Sequence, residues 1–375
     1  MNDKLILPSL RIENYRPFRH LVIPHCGRVN LAVGKNNVGK SSLLEALRLY
    51  VQRGAPALIW RLLDDRDENL SRTSIGEALE PEDNVEYGDP LQDVTRLFFG
   101  TQHNGNGARL IRIGPVGQPR LSLDMAIDWV RAEVQQLRFD FESEGQEELR
   151  IPTLSIRFGG SQLYSLDLAS GYERLRRPYP RPTEVRDARS VFIGANGLER
   201  SQIAQLWDKT ALTQFEERVV EALRIIAPEV ERITLIAERK GSSDRIPIVQ
   251  ITGQDMRIPL RSLGEGMNRM FGIALALVNA QDGLLLIDEI ESGLHYSVQA
   301  DMWRLVFETA HRLNVQVFAT THSRDCLEAF GLVANEDHQT EGVLIRLGRR
   351  GEDVVATLYE EEDLSIVTRE QIEVR

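Results

Sequence analysis

The stretch Val29-Asn30-Leu31-Ala32-Val33-Gly34-Lys35-Asn36-Asn37-Val38-Gly39-Lys40-Ser41-Ser42 decides the fold. An apolar strand over 28–33 runs into a glycine-rich turn, and an apolar helical pattern (Leu43, Leu44, Ala46, Leu47, Tyr50, Val51) follows. Gly34 to Ser41 spells G-x-x-x-x-G-K-[ST] in full, between the strand and the helix that a phosphate loop requires. Glycines let the backbone wrap around phosphates with successive N–H groups pointing inward, and the helix start adds a positive dipole end. Lys40 supplies a point charge for the β- and γ-phosphates, and the Ser41 hydroxyl is a ligand for Mg²⁺. The expected nucleotide-binding set is Gly34, Asn36, Asn37, Val38, Gly39, Lys40, Ser41 and Ser42. A plain glycine-rich surface turn is the competing reading, and the flanking strand and helix weigh against it.

A second cluster lies far downstream. Leu284-Leu285-Leu286-Ile287-Asp288-Glu289 is an apolar run ending in two acids. Such a run suits a strand buried on both faces of a parallel sheet, and its C-terminal end is where α/β sheets bind ligands. Asp288 is expected to hold Mg²⁺ and Glu289 to orient the attacking water. Two readings fit Ser262-Leu263-Gly264-Glu265-Gly266, which opens an apolar helix 26 residues before Asp288. It is either a second anion site at a helix start or an ordinary capping box, with Ser262 as cap and Glu265 three residues on. Val315-Gln316-Val317-Phe318-Ala319-Thr320-Thr321-His322 is a further apolar strand ending in a polar cluster. One strand–helix–strand step separates Asp288 from His322, so His322 is either beside the acids or a loop histidine at the surface.

Between the two clusters the pattern is less regular. Strands are expected at 9–12, 20–23, 108–113, 151–158, 162–168, 232–238 and 246–252. Short helices are expected at 58–63 and 91–99, and one long amphipathic helix at 201–226, ended by Pro228. The segment 172–182 reads as an exposed loop, rich in Pro, Arg and Tyr. The chain therefore divides into a head formed by 1–55 and 188–375 and an inserted segment, 56–187, that faces a partner or nucleic acid.

Composition excludes several classes. The 375 residues are 42% hydrophobic and 27% charged, ordinary values for a globular chain. The net charge of -11 gives no global basic field for nucleic acid, although a local groove stays open. Two distant cysteines, Cys26 and Cys326, do not make a disulfide or zinc framework, so a reducing cytoplasm is the default. No signal peptide stands out, and the apolar runs fall short of the ~20 residues that span a bilayer.

The four clusters, in this order, resemble the ABC-type ATPase superfamily: Walker A, a signature loop, Walker B with a catalytic Glu, and a switch histidine. Lys40, Ser262, Asp288, Glu289 and His322 fall on those positions, and Ser292-Gly293-Leu294-His295 falls on the D-loop. The opening Leu10-Arg11-Ile12-Glu13-Asn14-Tyr15-Arg16-Pro17-Phe18 looks like the first strands of the RecF, SMC and OLD branch. Within it the chain is most similar to stand-alone "AAA family ATPase" proteins related to OLD nucleases. The fold implied is an α/β P-loop head with a mixed N-terminal sheet, a parallel core sheet and an inserted α+β segment.

The function implied is ATP hydrolysis with Mg²⁺, by catalytic residues Glu289, His322 and Lys40, with Ser41 and Asp288 as metal ligands. It also implies an ATP-dependent homodimer in which Ser262, Gly264 and Glu265 reach the partner's ATP. The signature Ser-Leu-Gly-Glu-Gly departs from the transporter wording Leu-Ser-Gly-Gly-Gln, and no Q-loop glutamine is evident beyond Gln102. The 45 residues after Phe330 are too few for the Toprim nuclease domain of OLD proteins, so a nuclease or other effector is expected as a separate chain. DNA or RNA is a further expected partner, and a membrane is not. A transporter ATP-binding subunit, a scaffold with little turnover and a self-sufficient nuclease are the rival readings; against the last, the acids at 360–363 read as a solvated charge run.

Overall fold

The structure, a computed structural model, describes residues 5–70, 89–100, 110–131, 150–169, 189–237, 245–253, 257–336 and 339–359. The chain falls into two compact units. One comprises Met1–Leu10, Ile23–Val51 and Ala188–Arg375; the other comprises Arg11–Val22 and Gln52–Asp187.

The first unit is built on a six-stranded sheet in the order β15-β14-β3-β13-β12-β8. Its strands are β3 (Val29–Val33), β8 (Ser190–Ile193), β12 (Leu284–Ile287), β13 (Gln316–Thr320), β14 (Gly342–Arg350) and β15 (Asp353–Tyr359). All neighbours run parallel except β15, which is antiparallel to β14. Every residue of β3, β12 and β13 is buried, the pattern of strands covered on both faces. Polar groups inside this layer are satisfied: the Gln316 amide donates to the Leu7 and Gly27 carbonyls, and Asn30 donates to those of Gly27 and Val317. The register sets Ile287 opposite Ala319 and Ala319 opposite Leu31. Asp288, Thr320 and the loop at Gly34 therefore emerge along one edge.

Helix α1 (Lys40–Val51) packs on β12, β13 and β8. Helix α6 (Glu265–Asn279) is buried along most of its length. Helices α7 (Gln299–Arg312) and α8 (Arg324–Glu336) close over a cluster of Trp303, Phe307 and Phe330, with Trp303 and Phe330 edge-to-face at 5.0 Å. The Trp303 indole N–H donates to the Cys326 carbonyl at 3.1 Å. Cys326 and Cys26 are both fully buried, and desolvation pushes each thiol up to about 12. A small antiparallel sheet, β9 (Val230–Ala237), β10 (Arg245–Ile251) and β11 (Arg257–Pro259), adjoins helices of this unit.

The long helix expected over 201–226 is two helices, α4 (Arg200–Thr210) and α5 (Glu216–Arg224). Ala211 is extended and Leu212 takes φ +60. The Thr213 hydroxyl donates to the Thr210 carbonyl and accepts the Phe215 N–H. Hydroxyl side chains compete in this way with the helical ladder, and the apolar periodicity continues across the break.

The second unit carries an antiparallel sheet in the order β2-β1-β4-β5-β6-β7. Its strands are β1 (Leu10–Tyr15), β2 (Phe18–Ile23), β4 (Leu110–Gly114), β5 (Leu123–Arg131), β6 (Arg150–Phe158) and β7 (Ser161–Asp167). The sequence expectation set 11–22 in the head; in the structure β1 pairs with β4, and these residues join the second unit. Helices α2 (Pro56–Asp64) and α3 (Pro90–Thr95) belong to it. The helix expected over 91–99 stops at Thr95 because Phe98 bridges to Tyr15. The loop expected over 172–182 lies outside the described residues. No helix among the described residues is long and apolar enough to cross a membrane.

Candidate nucleotide site

Lys40 opens α1 and is only 5% exposed. Its ammonium donates to the carbonyls of Gly34 (2.7 Å) and Lys35 (3.1 Å), so the loop curls around its own cation. Burial lowers the Lys40 pKa below its ordinary 10.5, and Asp288, Glu289 and Glu291 oppose that shift. Gly34 sits at φ +148, and a Cβ there would lie 2.4 Å from the Leu347 carbonyl oxygen. Only glycine passes. Asn37 adopts φ +60, a conformation asparagine tolerates, and Arg349 donates to its carbonyl at 3.3 Å. Asn36 and Asn37 are exposed, while Val38 and Ser42 are buried.

The Ser41 hydroxyl donates to Asp288 Oδ2 at 3.1 Å. Thr320 donates its hydroxyl to Asp288 Oδ1 at 2.5 Å and accepts the Glu289 N–H at 2.9 Å. The sequence reading passed over Thr320; its signal is a hydroxyl ending an otherwise apolar strand. Glu289 takes φ +47, left-handed backbone that turns the chain off β12. Its carboxylate accepts from Ser292 Oγ at 3.2 Å and stands 3.7 Å from His322 Nε2. Glu291, also missed, accepts the N–H groups of His322 and Ser323 at 3.0 and 3.1 Å, and so fixes the turn that carries the histidine.

Arg269 is the residue sequence reasoning should have noticed. It lies in α6, 5% exposed, a charge inside the apolar run Gly266-Met267-Asn268-Arg269-Met270-Phe271. It donates to four carbonyls: Ile290 at 3.2 Å, Gly194 at 2.9 Å, Asp288 at 2.8 Å and Glu289 at 2.6 Å. Desolvation lowers its pKa to about 10, with Glu291, Asp288 and Glu289 opposing. Gly194 follows directly on β8, which flanks β12; the Asp288 N–H donates to the carbonyl of Ile193, the last residue of β8. Gln102 lies outside the described residues.

The structure thus gathers Lys40, Ser41, Asp288, Glu289 and His322. Ser262, Gly264 and Glu265 are exposed, and no hydrogen bond or ion pair joins them to those five. Helix α6 is capped by Gly264 at φ +107, with no side-chain cap, so the capping box open on sequence is not formed. Glu265 instead faces Arg261 at 3.5 Å in solvent. A Cβ at Gly266 would lie 3.2 Å from the Gly293 carbonyl oxygen, so the start of α6 packs closely on 292–295.

A hydroxyl and a carboxylate 3.1 Å apart are hard oxygen donors that fit Mg²⁺, which takes one or two protein oxygens beside phosphates and water. Among the described residues no group of three or more His, Cys, Asp or Glu side chains could hold a metal unaided. That fits an ion shared with phosphate.

A phosphate loop after the central parallel strand β3, an acid pair ending β12 one strand beyond its neighbour β13, and a second, antiparallel sheet define a P-loop ATPase head of ABC-type fold. Residues 29–325 match the family model described as "AAA domain, putative AbiEii toxin, Type IV TA system". The chain belongs to that family, and it is an ATPase. It is similar to a Helicobacter pylori protein named ATP/GTP phosphatase, 23% identical over 96% of this chain and 97% of that one. A Methanocaldococcus jannaschii protein is 33% identical over 26% of this chain and 83% of that one. Among solved structures, an Smc head domain with an extended coiled coil, bound to the C-terminal domain of ScpA and derived from Pyrococcus furiosus, aligns with a TM-score of 0.50. The identity is 11%, over 97% of this chain and 99% of that one.

Proposed function

We propose that the chain is a cytoplasmic switch of OLD-like type, which closes into a homodimer on ATP, hydrolyses it and thereby controls a separate effector. The observation that carries this reading is the connected set Ser41–Asp288–Thr320–Glu289 beside Lys40. Lys40 and the inward amides of 34–41 hold the phosphates, exchanging the Gly34 and Lys35 carbonyls for phosphate oxygen. Ser41 and Asp288 hold Mg²⁺, which when bound neutralises charge on the β- and γ-phosphate oxygens. Glu289 accepts a hydrogen bond from the water that attacks in line, and His322 donates toward the γ-phosphate. Ser262, Gly264 and Glu265, exposed and uncapped, serve the ATP of a second copy.

The effector is a nuclease or other defence protein, and DNA or RNA is a further partner. The inserted segment 56–187 is the part that meets either, and the arginines in the sequence between Tyr172 and Arg189 suit a phosphate backbone or an acidic partner by their chemistry. An Smc head of like fold taking a ScpA domain supports a second chain docking on such a head.

The test is Glu289→Gln in saturating Mg·ATP. Sedimentation should show a stable dimer that still holds ATP, with turnover at least ~100-fold down. A variant that stays monomeric removes the dimer from this reading.

A further inference from the structure

Arg269 sits one turn inside the helix that begins at the signature segment, and its guanidinium grips the backbone that carries Glu289. We infer that Arg269 is a positioning residue that couples docking of the Ser262–Glu265 segment to the alignment of Glu289 within the same chain. This rests on the dimer proposed above, and it goes further by linking that dimer's two sites.

Three consecutive carbonyls, those of Asp288, Glu289 and Ile290, accept from this one side chain, and a fourth comes from Gly194. The chain has just left β12, and Glu289 takes a left-handed conformation that is strained for a non-glycine residue. Backbone of that kind persists only where its surroundings hold it. Three groups do so here: the Thr320 hydroxyl on the Glu289 N–H, and the Ser292 N–H and the Arg269 fork on its carbonyl. Thr320 belongs to the rigid sheet, whereas Arg269 belongs to α6.

The fork is also short of slack. The guanidinium is planar with fixed donor directions, and here it serves carbonyls from two separate segments, 194 and 288–290. A buried cation without a carboxylate in direct contact is stabilised by those carbonyl dipoles, so releasing one is costly. A shift or rotation of α6 must therefore carry the 288–290 backbone with it.

The outer end of α6 is the opposite case. Gly264 has φ +107, and nothing lies within 4 Å of a Cβ placed there; Ser262 and Glu265 are in solvent. A phosphate arriving from a second copy would meet this open end first. Its pull on the helix start passes through α6 to Arg269, and from there to the Glu289 carbonyl, so each chain senses its partner's ATP and adjusts its own hydrolytic carboxylate.

The experiment uses the full chain as wild type, Arg269→Lys and Arg269→Met. Lysine keeps the charge but cannot serve four carbonyls at once. In Arg269→Lys, ATP affinity should stay within about twofold and the Glu289→Gln background should still give an ATP dimer, while kcat falls about tenfold with little change in KM. The decisive reading is specific activity against chain concentration with saturating Mg·ATP. Wild-type turnover per chain should rise about tenfold or more as dimers form, and that of Arg269→Lys less than about twofold although it dimerises equally.

A purely structural role would lower Tm and the number of ATP-binding chains but leave the rise, per binding chain, as in wild type; that result overturns the inference. Arg269→Met should behave as Arg269→Lys or worse, and if it does not fold the lysine variant decides. A Glu289→Gln chain with Arg269 intact that stays monomeric removes the dimer reading itself, a failure visible before any Arg269 variant is examined.

Discussion

Helices α1 and α6 both begin at a glycine with strongly positive φ, yet the two starts are furnished in opposite ways. Before α1 the loop is complete within the chain. Lys40 is buried and bonded to its own loop carbonyls, Ser41 reaches Asp288, and Leu347 leaves no space at Gly34 for a side chain. Before α6 there is open space around Gly264, a serine and a glutamate in solvent, and no side-chain cap. On the function proposed above, the first start holds the chain's own nucleotide and the second waits for one carried by another copy.

The largest break in that comparison comes from Lys40→Ala. Removing the buried charge should lower ATP affinity at least ~100-fold, as several kcal/mol of charge-assisted contact to phosphate is lost; titration calorimetry on the isolated chain reads this directly. Unchanged affinity would put the phosphates elsewhere.

Ser262→Arg sharpens the comparison and should have a smaller reach. The isolated chain should bind ATP within about twofold of wild type, while turnover at high chain concentration falls about tenfold or more. If ATP affinity of the dilute chain dropped as it does for Lys40→Ala, the 262–265 segment would belong to its own chain's nucleotide.

The smallest effect is in pH. Burial places the folded Lys40 below its ordinary 10.5, so the ammonium that phosphate needs begins to be lost below that value. ATP affinity should therefore fall as pH rises through this lowered pKa. The unliganded protein should respond with the opposite sign: in that window the unfolded chain binds more protons than the folded one, so stability rises with pH. Both limbs should be absent from Lys40→Ala, measured by nucleotide titration and by thermal unfolding across alkaline buffers.

The parts of the site legible in the sequence are those whose chemistry is written consecutively. Gly34 to Ser41 and Leu284 to Glu289 each pack strand, turn and chemistry into one stretch, and β3 and β12 follow from their apolar runs. What escaped is chemistry supplied across the fold. Thr320 acts on Asp288 from a neighbouring strand, and nothing in Ala319-Thr320-Thr321 says which hydroxyl faces the acid. Arg269 reads as one charge in a helix until its carbonyl partners, as far away as residue 194, are seen. Strand β8 is four residues long, too short for alternation to register, although it flanks β12. The break between α4 and α5 was hidden because apolar spacing continues through Leu212, which the structure leaves 98% exposed.

The two cysteines have a consequence for how this molecule can be watched. With both thiols buried and pushed up to about 12, the folded chain presents almost no thiolate at neutral pH. Toward maleimide or iodoacetamide it should behave as a cysteine-free protein. A single cysteine introduced at an exposed position such as Tyr296, next to the 292–295 segment, would then be the one reactive handle per chain. A donor and acceptor dye placed there on separate copies would report each approach and parting of two chains in real time, with no native residue first having to be removed.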